Sequence, residues 1–302
     1  MNMNTLVRKL IFPTCMKLGE QYSPRSLDKR CGSQVHQLHS GPSVSVVVPS
    51  YNQAKYIEAT LNSLLSQQYS PLEIIVIDGG STDGTVDILK RFEPHLAYWE
   101  SQPDRGQTHA INKGFSHATG EIMAWLNSDD LLLPGAISRV VKRFQTQPSV
   151  NVVYGQRIII NEFGEDIGTW NIKNAHGEVL QYADFIPQET LFWRRDIWNS
   201  IGKLDEKFKF AMDWDLLLRF KLANARFSVI EQYQGAFRFH SEQKTVCEIG
   251  STGFAEMELL RNGWAQQLGK REYDKKRMLR SLLTFALITR GWELARRLKG
   301  GG

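Results

Sequence analysis

Two adjacent acidic residues, Asp129 and Asp130, follow an apolar stretch in the run NSDD at residues 127–130. Such a pair suits a hard divalent cation, because Mg²⁺ or Mn²⁺ takes one or two carboxylates and completes its shell with water and phosphate oxygens. Asp78 also ends an apolar run, and a single carboxylate there suits a ribose or base edge. Together these residues predict a nucleoside diphosphate site in which a metal ion neutralises the phosphates.

Two common nucleotide-binding motifs are missing from the sequence. No GxGxxG follows the first apolar run, which argues against a dinucleotide oxidoreductase. No GxxxxGKS or GxxxxGKT occurs, which argues against a P-loop NTPase. The 3 cysteines show no CxxC spacing, so neither a disulfide framework nor a zinc cluster is predicted.

The elements that must position these acids alternate between strands and helices up to residue 150. Strands are predicted at residues 44–48, 73–77, 96–100 and 121–126. Helices are predicted at residues 54–67, 85–92, 107–117 and 134–144. This alternation predicts right-handed βαβ units, and we expect an α/β, Rossmann-like fold with a mostly parallel sheet flanked by helices. Beyond residue 150 the sequence predicts short strands at 152–154, 157–160 and 190–193, then helices at 214–223 and after Gly253.

Ligands of an open parallel sheet bind at the carboxyl ends of its strands. Pro49, Tyr51 and Asn52 follow the first strand and are predicted to contact the ligand there, although Asn52 is also a candidate N-cap for the next helix. For Asp78 the alternative is a cap of the glycine turn that follows it. Asn112 lies on a predicted helix, where facing the ligand and facing solvent are equally compatible with the sequence.

Composition and charge set the general class of the protein. The 302 residues are 42% hydrophobic and 23% charged, which is typical of a folded globular protein. The net charge of +5 is concentrated at the ends, since residues 270–302 hold 10 basic and 3 acidic residues and residues 1–43 hold 6 and 2. Tails of this kind indicate an anionic contact, whereas nucleic acid is not expected as a partner. Neither a signal peptide nor a transmembrane helix is expected, and a cytoplasmic location is the default.

Three segments in this order resemble family 2 glycosyltransferases with the GT-A fold. They are VSVVVPSYN at residues 44–52, IDGGSTDGT at residues 77–85 and NSDD at residues 127–130. The resemblance covers about residues 43–245. It implies a transferase that uses a nucleotide-sugar donor, is usually metal-dependent and usually inverts the anomeric carbon. The chain then divides into a loosely ordered extension at 1–42, a GT-A domain at 43–250 and a basic helical extension at 251–302.

The resemblance also implies roles for particular residues. Asp78 would contact the donor's base or ribose, and Asp129 and Asp130 would hold the metal, with Asp130 as the direct ligand. The run FAMDWD at residues 210–215 resembles the segment with the catalytic base, which places the base at Asp213. His240 lies in a late loop that would close over the diphosphate and is a further candidate for donor and metal binding. The family often has a second acid after strand two, where this chain has glycine.

Functional classes other than a transferase remain open from the sequence. A nucleotidyltransferase also uses acidic metal sites, but it would carry a basic, glycine-rich loop that residues 49–53 lack. A non-catalytic nucleotide-sugar or glycan-binding module would keep the same fold.

The acceptor is expected to be a saccharide or a lipid-linked acceptor of surface polysaccharide or glycolipid synthesis. The segment 275–299 reads as a basic amphipathic helix, for peripheral contact with the inner face of an anionic membrane or for packing on the domain.

Overall fold

The computed structural model describes residues 19–27, 41–172, 178–267 and 273–298. The strands of these residues are β1 Val44–Ser50, β2 Leu72–Asp78, β3 Tyr98–Ser101, β4 Ile122–Trp125, β5 Leu131–Leu132, β6 Val152–Ile160, β7 Asp166–Trp170, β8 Phe192–Arg194 and β9 Phe227–Arg238. The helices are α1 Ile57–Leu65, α2 Thr85–Phe92, α3 Gln107–His117, α4 Ala136–Thr146, α5 Arg195–Ile201, α6 Met212–Leu222, α7 Lys244–Cys247, α8 Phe254–Gln267 and α9 Lys275–Leu298.

All the strands in the described ranges form one sheet, in the order β3-β2-β1-β4-β8-β6-β9-β5, with β7 also paired to β6. The four strands β3, β2, β1 and β4 are parallel, as βαβ units require. The second part is mixed, because β8 runs antiparallel to β4 and β6 while β9 runs parallel to β6. The predicted α/β class is therefore confirmed, and the parallel pattern is complete in the first half of the sheet.

Helices cover both faces of the sheet, and β1 shows why its residues are almost all apolar. Val47 belongs to a hydrophobic cluster on one face, together with side chains of α3, α6 and α8. Val46 and Val48 belong to the cluster on the other face, against α1 and α4. A strand buried on both faces has no solvent side, so its sequence reads as a continuous hydrophobic run.

Gly114 lets α3 approach the sheet closely. A Cβ at this position would lie 2.4 Å from Cγ1 of Val47. The absence of a side chain therefore fixes how near α3 lies to β1, and α3 begins at Gln107 on the edge of the cavity described below.

The segments outside the predicted central domain contact it. In the N-terminal segment, the amide of Gln21 donates to the carbonyl of Ile167 (2.8 Å), and Arg25 forms a β-bridge with Asp166. Residues 19–27 are thus held against β7, although a loosely ordered extension is predicted there. Residues 1–18 and 28–40 of the predicted extension lie outside the described part of the chain.

The C-terminal helices pack on the same core as the sheet. Leu260 and Trp264 of α8 and Leu282 and Phe285 of α9 are buried in the cluster that contains Val47. The helix predicted over residues 275–299 is confirmed as α9. Its described part packs one face on the protein and exposes Leu287 and several basic residues on the other. Packing on the domain is thus observed, and contact with a membrane stays a prediction. No helix in the described ranges is long and apolar enough to cross a membrane.

The predicted element pattern differs from the structure mainly after residue 150. The strands predicted at 152–154 and 157–160 are one strand, β6, with a bulge near Gln156. The strands β5, β7 and β9 were not predicted. In β9 the exposed polar residues at the centre interrupt the apolar pattern. Asn52 does not cap α1: that helix begins at Ile57, and the Asn52 side chain accepts the amide of Thr82 (3.0 Å).

Candidate active site

A cavity of about 810 Å³ opens at the carboxyl ends of the parallel strands. This volume is in the range of sites that bind small molecules and cofactors. Pro49 and Tyr51 line it from the end of β1, and Asp129 lines it from the loop after β4. The second half of the chain supplies the facing wall, including Asp213 and His240. The cavity therefore joins the two halves of the sheet.

Asp129 and His240 form a pair at the edge of the cavity. His240 Nε2 lies 3.1 Å from Oδ2 of Asp129, and both side chains are largely buried. The imidazole packs against the ring of Tyr56, with ring centroids 4.9 Å apart. Its Nδ1 is buried and has no hydrogen-bond partner among the described residues. A carboxylate and an imidazole fixed this closely fit the donor set of a divalent cation.

Asp130 has a different environment from its neighbour. It is 1% exposed, and its Oδ1 accepts the backbone amide of Arg238 (2.9 Å). Burial, together with the nearby Asp129 and Glu189 charges, raises the pKa of Asp130 well above its ordinary value. Asp130 therefore supports the strand that precedes His240, and its role as the direct metal ligand stays a prediction.

No group of three or more His, Cys, Asp or Glu side chains is arranged to hold a metal in the described ranges. A cation between Asp129 and His240 would thus depend on oxygens from a bound ligand or water. Phosphate oxygens are suitable for this, because Mg²⁺ is usually bound through one or two carboxylates plus substrate phosphates. The residues present fit a metal that binds together with a diphosphate.

Asp78 and Asn112, both predicted as donor-binding residues, do not reach the cavity. The Asp78 carboxylate is 0% exposed and accepts the amides of Gly80 (3.1 Å) and Ser81 (2.8 Å) and the hydroxyl of Ser101 (2.6 Å). Asn112 is buried, and its side chain makes two hydrogen bonds of 2.9 Å with the backbone of Leu204. Both side chains hold loops around the site, because their polar atoms are used within the protein.

Asn52 also lies outside the cavity lining and connects two loops. The backbone N–H of Asn52 donates to Ser81 Oγ (2.7 Å), and the residue has a positive φ of 52°. Tyr51, next to it, is 63% exposed at the cavity mouth. A Cβ on Gly79 would lie 3.2 Å from both the Tyr51 ring and the Asp104 carboxylate. Asp104 therefore brings an acid to the place where the family often has its second acid after strand two.

Asp213 is in the first turn of α6, and its Oδ1 accepts the amide of Trp214 (2.9 Å). Burial raises the pKa of Asp213 above its ordinary value. Asp184 lines the same cavity, and burial, followed by the Asp213 charge, raises its pKa well above the ordinary range. Oδ1 of Asp184 is buried without a hydrogen-bond partner in the described part of the chain. Asp215 instead pairs with Arg219 (2.9 Å).

A buried ion pair forms part of the cavity floor. Nε and Nη2 of Arg157 donate to the two carboxylate oxygens of Glu189 at 2.8 and 2.5 Å, and the guanidinium lies 4.3 Å from the Phe237 ring centroid. Burial lowers the pKa of Arg157, but the Glu189 charge outweighs it and the net direction is upward. Neither residue was predicted, since their positions are 32 apart in sequence and no motif connects them.

A chain of polar side chains links the late loop to the acids of β4. Lys244 Nζ donates to Oε1 of Gln107 (3.2 Å) and to the carbonyl of Lys209. Nε2 of Gln107 donates to Oδ1 of Asn127 (2.8 Å), which precedes the two acids. Burial lowers the pKa of Lys244, which lines the cavity. Arg238 is not among the lining residues, because its guanidinium donates to backbone carbonyls, including that of Asp129 (2.8 Å).

Residues 45–212 match the family model described as glycosyl transferase family 2. The chain belongs to this family. The match covers the cavity residues of β1 and of the loop after β4, and it ends one residue before Asp213.

Relatives and solved structures agree with this assignment. An uncharacterized glycosyltransferase of a Nostoc species is 38% identical over 54% of this chain and 54% of its own length, so the chain spans about half of that relative. A PGL/p-HBAD biosynthesis glycosyltransferase of Mycobacterium bovis is 28% identical over 60% of this chain and 70% of its own.

Two solved structures share the fold at low sequence identity. S. aureus TarS 1-349 in complex with UDP-GlcNAc has a TM-score of 0.60 and 21% identity, over 80% of this chain and 71% of its own. The mannosyltransferase PcManGT from Pyrobaculum calidifontis, in complex with GDP-Man and Mn²⁺, has a TM-score of 0.54 and 21% identity, over 91% and 81%. These similarities confirm the GT-A architecture expected from the sequence.

Proposed function

We propose that this protein transfers a single sugar from a nucleoside diphosphate sugar to an acceptor hydroxyl, with a divalent cation and with inversion at the anomeric carbon. The observation that carries the proposal is the placement of Asp129 and His240 in the same cavity as Asp213, a separate, partly buried carboxylate. An inverting transfer needs these two kinds of group, one set for the leaving diphosphate and one base for the attacking hydroxyl. TarS and PcManGT, which share the fold, were solved with a nucleotide sugar, and PcManGT also with Mn²⁺.

The donor would occupy the side of the cavity formed by β1 and the loop after β4. Asp129 and His240 would hold Mg²⁺ or Mn²⁺, which when bound neutralises the diphosphate and so assists its departure. Lys244 is a further lining cation, which donates to Gln107 and to the Lys209 carbonyl. Tyr51 offers an exposed aromatic ring to the nucleobase of the donor. The Asp104 carboxylate offers a hydrogen-bond acceptor to the N–H groups of that nucleobase. The side chains of Asp78 and Asn52 support this surface by holding the loops after β1 and β2.

Asp213 would act as the general base. As the acceptor oxygen bonds to the anomeric carbon, the bond from that carbon to the diphosphate oxygen breaks, and the acceptor proton passes to the Asp213 carboxylate. Burial raises the pKa of Asp213, which makes the carboxylate a stronger base for this proton. Aromatic and apolar side chains line the cavity near this base, including Trp170, Phe185 and Phe210, and they suit the face of a saccharide or the apolar part of a glycolipid.

The acceptor is proposed to belong to surface polysaccharide or glycolipid synthesis, at the inner face of the membrane. The PGL/p-HBAD relative supports a glycolipid context. The outer side of α9 exposes Lys275, Lys276 and Arg280 together with Leu287 and Ile288, a combination suited to an anionic lipid surface. Sedimentation with anionic and neutral liposomes tests this contact. Binding that is equal for both lipid types, or absent, would contradict it.

The transferase proposal is tested with UDP-, GDP- and dTDP-sugars, each with Mn²⁺ or with EDTA. The correct donor at 100 times its Kd should stabilise the fold by about 2.7 kcal/mol, and only in the presence of metal. Release of the nucleoside diphosphate with an acceptor, and inverted configuration in the product by NMR, then establish the reaction. Pyrophosphate release would instead indicate a nucleotidyltransferase, and metal-dependent donor binding without turnover would indicate a binding module.

A further inference from the structure

A buried carboxylate outside the cavity lining holds the segment that leads to Asp213. The backbone amides of Lys209, Phe210 and Ala211 donate to Glu256, with all three hydrogen bonds at 2.9 Å. Glu256 is 8% exposed and belongs to the first turn of α8. Three successive amides that converge on one acceptor form a concave anion site of the kind that backbone nests provide.

This segment directly precedes the catalytic end of α6. Ala211 is the N-cap residue of α6, and Asp213 is the second residue of the helix. Phe210 and Ala211 line the cavity beside Asp213, so any movement of the segment reshapes the site. The rest of α6 is fixed separately, because Trp214 and Leu216 are buried in the core. The first turn therefore takes its position from what holds residues 209–211.

The contact also fixes the distance between α6 and α8. Gly253, just before α8, packs against the Phe210 ring, and a Cβ there would lie 2.9 Å from a ring carbon. The Lys209 carbonyl accepts Nζ of Lys244 on the opposite side of the peptide. Glu256 is thus the acceptor that lets the loop approach α8 closely without leaving buried amides unpaired.

We infer that Glu256 is a positioning residue for the base: it holds the amides of residues 209–211 and thereby sets where Asp213 meets the acceptor hydroxyl. The inference rests on the proposed function, in which Asp213 is the base. It joins α8, in the segment predicted as a C-terminal extension, to the chemistry of the cavity. It also predicts that donor binding is independent of Glu256, because Asp129 and His240 are held by the β4 loop and the residues after β9.

Glu256→Gln is the informative substitution. Glutamine keeps the size of the side chain, but its NH₂ group would face a backbone N–H where the carboxylate presents an oxygen. At least one of the three hydrogen bonds is then lost. Glu258→Gln is the matched control, since Glu258 lies on the same helix with its side chain about half exposed and paired with Arg261.

Hydrogen exchange gives a readout that needs no substrate. In Glu256→Gln, the peptide covering residues 208–214 should exchange at least about 10-fold faster than in the wild type, while the strands of the sheet keep their protection. Glu258→Gln should leave this peptide unchanged. Unchanged exchange in Glu256→Gln would overturn the inference, whatever the reaction of the protein.

Kinetics then test the coupling to the base. Glu256→Gln should lower kcat by about 10- to 100-fold, because a displacement of about 1 Å has effects of this size. Mn²⁺-dependent binding of UDP or GDP, whichever binds the wild type, should stay within about 2-fold. In an Asp213→Asn background the same substitution should lower kcat by less than about 2-fold, since a residue that acts only through the base has nothing left to position.

The outcomes separate the two proposals. Equal losses from Glu256→Gln with and without Asp213 would show a general structural effect and overturn the positioning role. An unchanged kcat in Glu256→Gln would overturn it as well. Wild-type turnover in Asp213→Asn would instead refute the proposed base, while the exchange result would still report on the contact of Glu256 with the loop.

Discussion

The ion pair in the cavity floor predicts an asymmetry between its two partners. Arg157 and Glu189 are both nearly fully buried and share two hydrogen bonds. Arg157 also interacts electrostatically with Asp130, Asp184 and Asp213. One guanidinium thus faces four carboxyl groups. We expect Arg157→Met to destabilise the protein more than Glu189→Gln, because the first removes the cation from an acidic cluster and the second removes one acid of several.

The magnitudes follow from the hydrogen bonds and the burial. Removing one partner of a buried ion pair costs about 3–5 kcal/mol, because the other charge is left buried and unpaired. We expect this full cost for Arg157→Met, since the Glu189 carboxylate then stays buried without its cation. Glu189→Gln keeps one carbonyl oxygen as acceptor and leaves Arg157 with the other acids. Its cost should be about 1–2 kcal/mol, in the range of one hydrogen bond to a charged group.

Urea unfolding at pH 7 measures both effects. With a slope of about 2–3 kcal/mol per molar urea, Arg157→Met should lower the midpoint by about 1–2 M and Glu189→Gln by less than about 1 M. The difference should shrink as the pH falls, because their raised pKa values make Asp130 and Asp184 neutral at a higher pH than ordinary carboxyl groups. Equal costs at pH 7, or a larger cost for Glu189→Gln, would refute the view that the cluster has an excess of acid.

Three further predictions concern the acids of the cavity. Asp129→Asn should weaken Mn²⁺-dependent nucleotide binding at least about 10-fold in titrations without moving the melting temperature, whereas Asp130→Ala should destabilise the fold by about 1–3 kcal/mol, because the Arg238 amide loses its acceptor; the reverse pattern would support Asp130 as the direct ligand. Asp213→Asn should lower kcat by roughly 10²–10⁴-fold while donor binding is kept. In the wild type the raised pKa of Asp213 should shift the acid limb of the pH profile of kcat to a higher pH than an ordinary aspartate would give, since the base acts in its deprotonated form. Asp184→Asn should stabilise the protein by about 1 kcal/mol at pH 7 and by less as the pH falls. The reason is that a carboxyl group whose pKa is raised in the folded state makes the wild type less stable once the pH exceeds the ordinary pKa of aspartate. A difference between variant and wild type that stays constant across pH would contradict this.

The first half of the fold could be predicted because its signals are local. The strands β1, β2 and β4 are continuous apolar runs that end in polar loops, and the helices between them show regular apolar spacing. The cavity position followed from the strand ends, and Pro49, Tyr51, Asp129, Asp213 and His240 all line it. Each of these residues is identified by its place next to an element or a motif.

The roles of individual side chains could not be predicted in the same way. Asp78 has the sequence position of a donor ligand, but its oxygens are used by the turn that follows and by Ser101. Asn112 is taken up by Leu204, which is 92 residues away along the chain. The sequence shows which polar groups reach the end of a strand, whereas the partners that use them come from distant segments.

The buried cluster on the floor and facing wall of the cavity shows the same limit most clearly. Arg157 comes from β6, Glu189 from the short turn before β8, Asp184 from the loop before it, and Asp213 from α6. A single buried cation makes it possible to keep these acids together, because each of them would otherwise raise the desolvation cost of the next. No local pattern marks such a residue, since its neighbours are defined only after β6 pairs with β8 and β9.

This division of the cavity has a consequence for comparing relatives. The wall from β1 and the β4 loop is made of short motifs and lies within the family match at residues 45–212. The facing wall depends on Asp213, beyond the match, and on Glu256 of α8, which holds the loop before Asp213. His240 also lies beyond the match, but it pairs with Asp129 on the donor side. If the first wall holds the donor and the second the acceptor, relatives can keep the motifs of donor binding while the later segments change with the acceptor. Similarity in the first half therefore supports the use of a nucleotide sugar more strongly than it supports any particular acceptor.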